Sequence, residues 1–208
     1  VCSASSIEPT EGDNWIVMTA GHCTWDDASG PAKNWVFMPD YDSVLDFGCT
    51  DGASDTASSC YAAASLHPTE EWMKPGDDYL NDVAFARMAG PRPAQDDVGP
   101  LPVLRDSTAT GEKVTALGYP AAKKYSGNDL VYCRGTAEAG PAQYGSNPML
   151  ACNMTGGSSG GPWYRVLDDG GLEATSLNSF GLRGYNGYMF GPQFGPSTRA
   201  ALDAASAG

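Results

Sequence analysis

The sequence is poor in the groups on which several functions depend. Only two histidines, His22 and His67, occur in 208 residues, and 12 Lys and Arg face 25 Asp and Glu, for a net charge of −13. That balance argues against nucleic acid or an anionic membrane as a partner, because both require a basic face. No apolar run approaches the roughly 18 residues that cross a bilayer, and no leader-like stretch opens the sequence, so soluble, processed material is expected. The six cysteines include no CxxC pair, and two histidines add little to a metal site, so neither a metal nor a cofactor is expected. No internal repeat is visible.

What is present is turn chemistry. With 26 Gly and 15 Pro between short apolar runs, the pattern is that of many short strands, pointing to an all-β sandwich or barrel. Strand-like segments flank His22 and recur at 34–38 and 83–88, then at 113–119, 130–134, 149–154, 163–167 and 172–180. A proline-rich and acidic stretch over 89–102 reads as a connection, dividing the chain into 1–95 and 96–208. Residues 196–205 read as a terminal helix with Ser197 as its cap. The acidic groups Asp26 with Asp27, and Asp40 with Asp42 and Asp46, offer oxygen ligands but lack the spacing of a calcium loop, and read as solvated surface.

Two motifs carry chemistry. His22 lies in Thr19-Ala20-Gly21-His22-Cys23, directly after an apolar run, and Ser159 lies in Gly156-Gly157-Ser158-Ser159-Gly160-Gly161-Pro162. A serine hydroxyl is a weak nucleophile near neutral pH and needs an imidazole to take its proton, with a carboxylate to orient that imidazole. Asp82, where Asn81-Asp82 leads into Val83-Ala84-Phe85, supplies such a carboxylate at the edge of an apolar strand. A flexible linker is the plain alternative for the glycine run, but linkers do not run into Pro162, Trp163, Tyr164 and a further strand pattern. The run also satisfies GxSxG, the nucleophile elbow of α/β-hydrolases, whose histidine follows the serine. Both histidines here precede Ser159, which excludes that reading. His67, followed by Pro68 in a loop-like pattern, reads as structural.

The three strings TAGHC, NDVAF and GGSSGGP, in that order, resemble the catalytic motifs of trypsin-like, chymotrypsin-fold serine endopeptidases, and within them secreted bacterial members related to glutamyl endopeptidases. The resemblance implies two six-stranded antiparallel Greek-key barrels with a short C-terminal helix, the first carrying His22 and Asp82 and the second Ser159. It implies a His22, Asp82, Ser159 triad, an oxyanion hole from the amides of Gly157 and Ser159, and protein or peptide substrates. Fifteen pairings of the cysteines are possible from spacing; the resemblance selects Cys2 with Cys23, Cys49 with Cys60, and Cys133 with Cys152. Disulfides of this kind imply a secreted, extracellular protein. A catalytically silent protease-fold binding protein is the alternative from another class.

The chain also departs from that family. Only 21 residues precede His22, so the usual opening strand is expected to be missing from the first barrel, leaving a strand edge to be covered by a pro-segment or an N-terminal strand. Ser158 stands where zymogens of the family carry an aspartate, so activation by insertion of the Val1 amine is not expected. Aligned on Ser159, the primary specificity pocket is expected to include Asn153 and Met154, with Asn178, Ser179, Phe180 and Gly181 on the facing strand. Asn153 provides no carboxylate for a basic side chain, and Asn178 stands where a glutamyl endopeptidase has histidine; a neutral, apolar residue is expected there. Ser179 and Gly181 are expected to bind the substrate backbone as an added strand. The sequon Asn153-Met154-Thr155 is read as accidental, because a glycan would block the pocket.

Overall fold

A computed structural model describes residues 1–41, 60–90, 102–104 and 108–207. Among the described residues fifteen short strands follow in chain order: β1 (Ser5–Ile7), β2 (Ile16–Thr19), β3 (Trp25–Asp26), β4 (Gly30–Pro31), β5 (Val36–Phe37), β6 (Tyr61–Pro68), β7 (Ala84–Met88), β8 (Val103–Leu104), β9 (Lys113–Gly118), β10 (Val131–Thr136), β11 (Glu138–Ala139), β12 (Pro148–Ala151), β13 (Pro162–Val166), β14 (Leu172–Leu177) and β15 (Tyr188–Phe190). Among the described residues there is one α-helix, α1 (Pro196–Ala207). The architecture is mostly β with a short C-terminal helix, as expected.

Two five-stranded sheets dominate. The first has the order β1-β2-β7-β6-β5 and the second β10-β9-β13-β14-β8. Pairing is antiparallel except where β8 lies parallel to β14. A third sheet, β11-β12-β15, completes the second half.

The strands read as they do because successive side chains point to opposite faces. In β2 and the residue before it, Trp15 and Val17 enter the core of the first half with Ala86 and Met88, while Ile16 and Met18 face the other way. There they join Phe85, Leu177 and Leu202 in a core that links both sheets and the helix. A separate core of Val114, Ala116, Leu150, Met154, Trp163 and Met189 fills the second half. In α1 the buried positions Thr198, Ala201, Leu202, Ala205 and Ser206 recur at helical spacing. The helix starts at Pro196, whose fixed φ suits a first helical position, and the Gly195 carbonyl accepts from Arg199 N at 2.9 Å. Ser197 is therefore inside the helix rather than its cap, and its hydroxyl donates to the Glu71 carboxylate.

Strand β6 is a second correction. It carries His67, which lies in a strand and not in a loop, with Nε2 2.8 Å from Ser65 Oγ. Burial, and to a lesser degree the nearby Arg87 guanidinium, holds the His67 imidazole below its ordinary pKa. The run Ala62-Ala63-Ala64 has none of the β-branched residues that mark strands, and pairing with β5 at Ala62 and with β7 at Ala63 makes it one.

Among the described residues, β1 pairs only with β2 and β5 only with β6, so both edges of the first sheet lack a second strand. A groove of about 430 Å³ lies between them, lined by Ser3–Ser6 on one side and Phe37–Pro39 on the other. The hydroxyl of Ser5 in its wall is buried without a hydrogen-bond partner among the described residues. The disulfides Cys2–Cys23 and Cys133–Cys152 are formed. Cys60 is disulfide-bonded; its expected partner Cys49, like the acidic residues Asp42 and Asp46 and most of the 89–102 connection, lies outside the described residues.

Candidate active site

His22 sits on a 3-10 turn, Gly21–Cys23, that follows β2 immediately. The turn is fastened from both sides: Cys23 is bonded to Cys2, and Thr24 N and Oγ1 both donate to the Gly21 carbonyl at 2.9 Å. Asp82 sits between the 3-10 turn Tyr79–Asn81 and β7. Asp78 caps that turn, accepting from Leu80 N, and its other oxygen accepts from Asn81 Nδ2. Thr69 holds the far side, with Oγ1 donating to the Asn81 carbonyl at 2.6 Å and N donating to the Val83 carbonyl at 3.0 Å.

The carboxylate of Asp82 is fully buried, and a buried charge needs hydrogen-bond donors to be tolerated. Three serve it. His22 N donates to Oδ1 at 2.8 Å, His22 Nδ1 lies 2.8 Å from Oδ2, and Ser179 Oγ donates to Oδ2 at 2.5 Å. The imidazole is thus held by its ring and by its own backbone, with 34% of the side chain exposed. With Nδ1 engaged, Nε2 is the nitrogen left to exchange a proton.

Ser159 lies in the turn before β13 and is partly buried. Its carbonyl accepts from Ser3 N at 2.7 Å and lies 3.9 Å from Cys23 Sγ, one residue from His22. The next residue, Gly160 (φ +86°), leaves no room for a side chain: a Cβ would fall 2.2 Å from Thr19 Oγ1 and 2.8 Å from Ala20 N. The serine loop is therefore pressed against the segment that leads into His22. Among the described residues the hydroxyl of Ser159 has no hydrogen-bond partner.

The loop keeps two amides free. Ser158, Gly160 and Gly161 donate to the carbonyls of Thr155, Asn178 and Ser158, whereas Gly157 N and Ser159 N donate to nothing among the described residues. Gly157 has φ +98°, and a Cβ there would fall 2.8 Å from Ala121 N and Tyr119 O, so the conformation that frees these amides requires glycine. Ser158 Oγ donates to the Thr155 carbonyl at 2.8 Å, while Val1 is fully exposed.

The residues expected in the specificity pocket take different places. Asn153 is exposed and accepts from the Tyr125 hydroxyl at 2.7 Å, whereas Met154 is buried in the core of the second half. Asn178 is fully buried, its amide donating to the Leu117 and Ser158 carbonyls and accepting from Trp163 Nε1; it fastens the serine loop to β9 and β13. Phe180 stacks on Phe190 at 5.1 Å and meets Tyr79 at 4.6 Å. Gly181 is exposed, with nothing within 4 Å of where a Cβ would stand.

Sequence reasoning missed two supports. The first is the bond from Ser179 to Asp82, spanning 97 residues. The second is Ser3, almost fully buried, whose hydroxyl donates to the Gly157 carbonyl at 2.9 Å and accepts from Tyr119 N at 2.8 Å. No local signal marks either serine. Cys2, His22 and Cys23 bring ligand-type atoms within 4.8 Å of one another, but the two sulfurs are bonded to each other and cannot bind a metal.

Two β-sheet halves that press a histidine-carboxylate pair against a glycine-rich serine loop define the double-barrel class of serine peptidases. The chain belongs to the trypsin-like peptidase family: residues 2–171 match the model of the trypsin-like peptidase domain, and it is a serine endopeptidase. It is 36% identical to the thermostable serine protease AL20 from an extremophilic microorganism, covering 99% of this chain and 90% of that one with a TM-score of 0.80. It is 31% identical to the protease Anisep from Arthrobacter nicotinovorans, covering 100% and 89% with the same TM-score. A Glu endopeptidase shares the fold at 17% identity and a TM-score of 0.68, covering 99% of this chain and 91% of that one. No curated protein sequence matches.

Proposed function

We propose that the protein is a secreted endopeptidase that cleaves peptide bonds through an acyl-enzyme, with Ser159 as nucleophile, His22 as general base and then general acid, and Asp82 fixing the imidazole tautomer. The observation that carries the reading is the grip on the Asp82 carboxylate by His22 N, His22 Nδ1 and Ser179 Oγ. It keeps the proton on Nδ1, so Nε2 can take the proton of Ser159 as its oxygen bonds to the substrate carbonyl carbon. His22 then returns that proton to the departing amine as the C–N bond breaks. Water repeats the sequence on the ester.

The unpaired amides of Gly157 and Ser159 suit the oxyanion, and each such donor is typically worth about 100- to 1000-fold in rate. Gly181, exposed and unobstructed, suits a substrate backbone laid alongside as an added strand. The primary pocket, bordered by Asn153 and by the segment from Ser179 to Gly181, takes a neutral side chain. Residues 1–95 and 96–208 form the two halves of the enzyme. The paired cysteines support secretion, and a strand from a pro-segment or an N-terminal extension suits the groove between β1 and β5. Digestion of a peptide library is the test. Cleavage that disappears in Ser159→Ala is expected; a folded wild-type protein that leaves every peptide intact overturns the reading.

A further inference from the structure

A recess of about 320 Å³ opens beside His22, with Ser179 and Phe180 in its wall. It therefore continues from the candidate catalytic dyad onto the strand proposed to hold the substrate backbone. Its position makes it a substrate site; its lining decides which side chain enters.

The walls are aromatic and the rim is anionic. Trp72 and Tyr79 lie 5.7 Å apart, Tyr79 and Phe180 4.6 Å apart, and Trp72 lies 6.2 Å from His22, giving a continuous run of ring surfaces. Asp26, Asp27 and Asp77 also line the recess, and no Lys or Arg does so among the described residues. None of the three has an ion-pair partner among the described residues, and Lys74, a nearby cation in sequence, is engaged by Glu70 and Glu71. Asp26 is held in its charged form: Ser29 Oγ, Ser29 N and Ala28 N all donate to Oδ1, and these bonds lower its pKa. In the lining of the recess, burial followed by the negative charges of Asp77 and Asp82 raises the Tyr79 phenol above its ordinary value.

We infer that this recess is a subsite for a cationic side chain of the substrate, arginine above all, at one of the two positions preceding the residue in the primary pocket. Ring faces attract cations, and the flat guanidinium stacks on them while its edge reaches carboxylates. A lysine fits less well because its ammonium cannot stack. The selectivity for a cation is thus separate from the primary pocket, which takes a neutral residue. The inference rests on the proposed protease reading and specifies its substrate class.

The test uses peptides with one fixed neutral residue at the cleaved bond and arginine, citrulline or glutamate at each of the two preceding positions. Citrulline keeps the shape of arginine without its charge. At one position kcat/KM is expected to favour arginine over citrulline by about tenfold at low salt, with glutamate poorest and the ratio shrinking as salt screens the carboxylates. In the double variant Asp27→Asn with Asp77→Asn the ratio is expected to fall below about threefold. Asparagine tolerates the positive φ of Asp77 (47°). Asp203→Asn, on the exposed face of α1, removes a charge elsewhere and should keep the preference. A ratio near one at both positions, or one that survives the double variant, overturns the inference while leaving the protease reading intact. Failure to cleave any peptide overturns that reading, and the subsite with it.

Discussion

Replacing Asp82 by asparagine exchanges one oxygen for an NH2 group and should disable the enzyme while leaving its fold. The carboxylate accepts at both oxygens: Oδ1 from His22 N, and Oδ2 from His22 Nδ1 and Ser179 Oγ. An amide has one oxygen. Placed toward His22 N, it turns its NH2 toward Nδ1, which must then accept; the ring proton moves to Nε2, where it blocks proton transfer from Ser159. Placed the other way, it opposes NH2 to the backbone N–H of His22, leaving a buried donor without an acceptor at a cost of about 1–3 kcal/mol. The first arrangement is the cheaper, so the wrong tautomer prevails. In a triad that loss is about 10⁴-fold in kcat, or about 5.5 kcal/mol of transition-state stabilisation. The assay is kcat on a chromogenic peptide near neutral pH, with a melting curve to check the fold. Activity within about tenfold of wild type, in a protein that melts normally, would refute the assigned role of the carboxylate.

Three further outcomes follow from the same geometry. Ser179→Ala removes one of three donors to a buried charge and should cost about 1.5–3 kcal/mol of stability by denaturant titration, with a fall in kcat larger than any change in KM. Ser3→Ala removes the buried hydroxyl that bonds both the Gly157 carbonyl and the Tyr119 N–H; a loss of about 1–3 kcal/mol is expected, and an unchanged denaturation midpoint would contradict it. Converting both Cys133 and Cys152 to alanine opens a loop with a sequence separation of 19 and should lower stability by about 3 kcal/mol on loop entropy.

The proposed chemistry is more legible in the sequence than its scaffolding. His22 and Ser159 lie in short strings whose composition announces them, and their order alone excluded the α/β-hydrolase reading. Strand β6 escaped because its first half is alanine, which carries no strand preference; its identity comes from β5 and β7 on either side of it. The role of Asn178 escaped for a similar reason. Its side-chain amide is spent on Leu117, Ser158 and Trp163, contacts fixed only when three separate segments pack. The subsite beside His22 draws its rings and carboxylates from separate stretches of chain, none of which has a motif. Asp26 and Asp27 read as solvated surface in one dimension, and they are exposed, but folding sets them over an aromatic floor.

The most direct test of the central claim is labelling of the intact protein with a fluorophosphonate, followed by mass mapping of the modified residue. The account predicts one adduct, on Ser159, lost in His22→Ala while the fold persists. A folded protein that takes no label, or that is labelled equally well without His22, would contradict it.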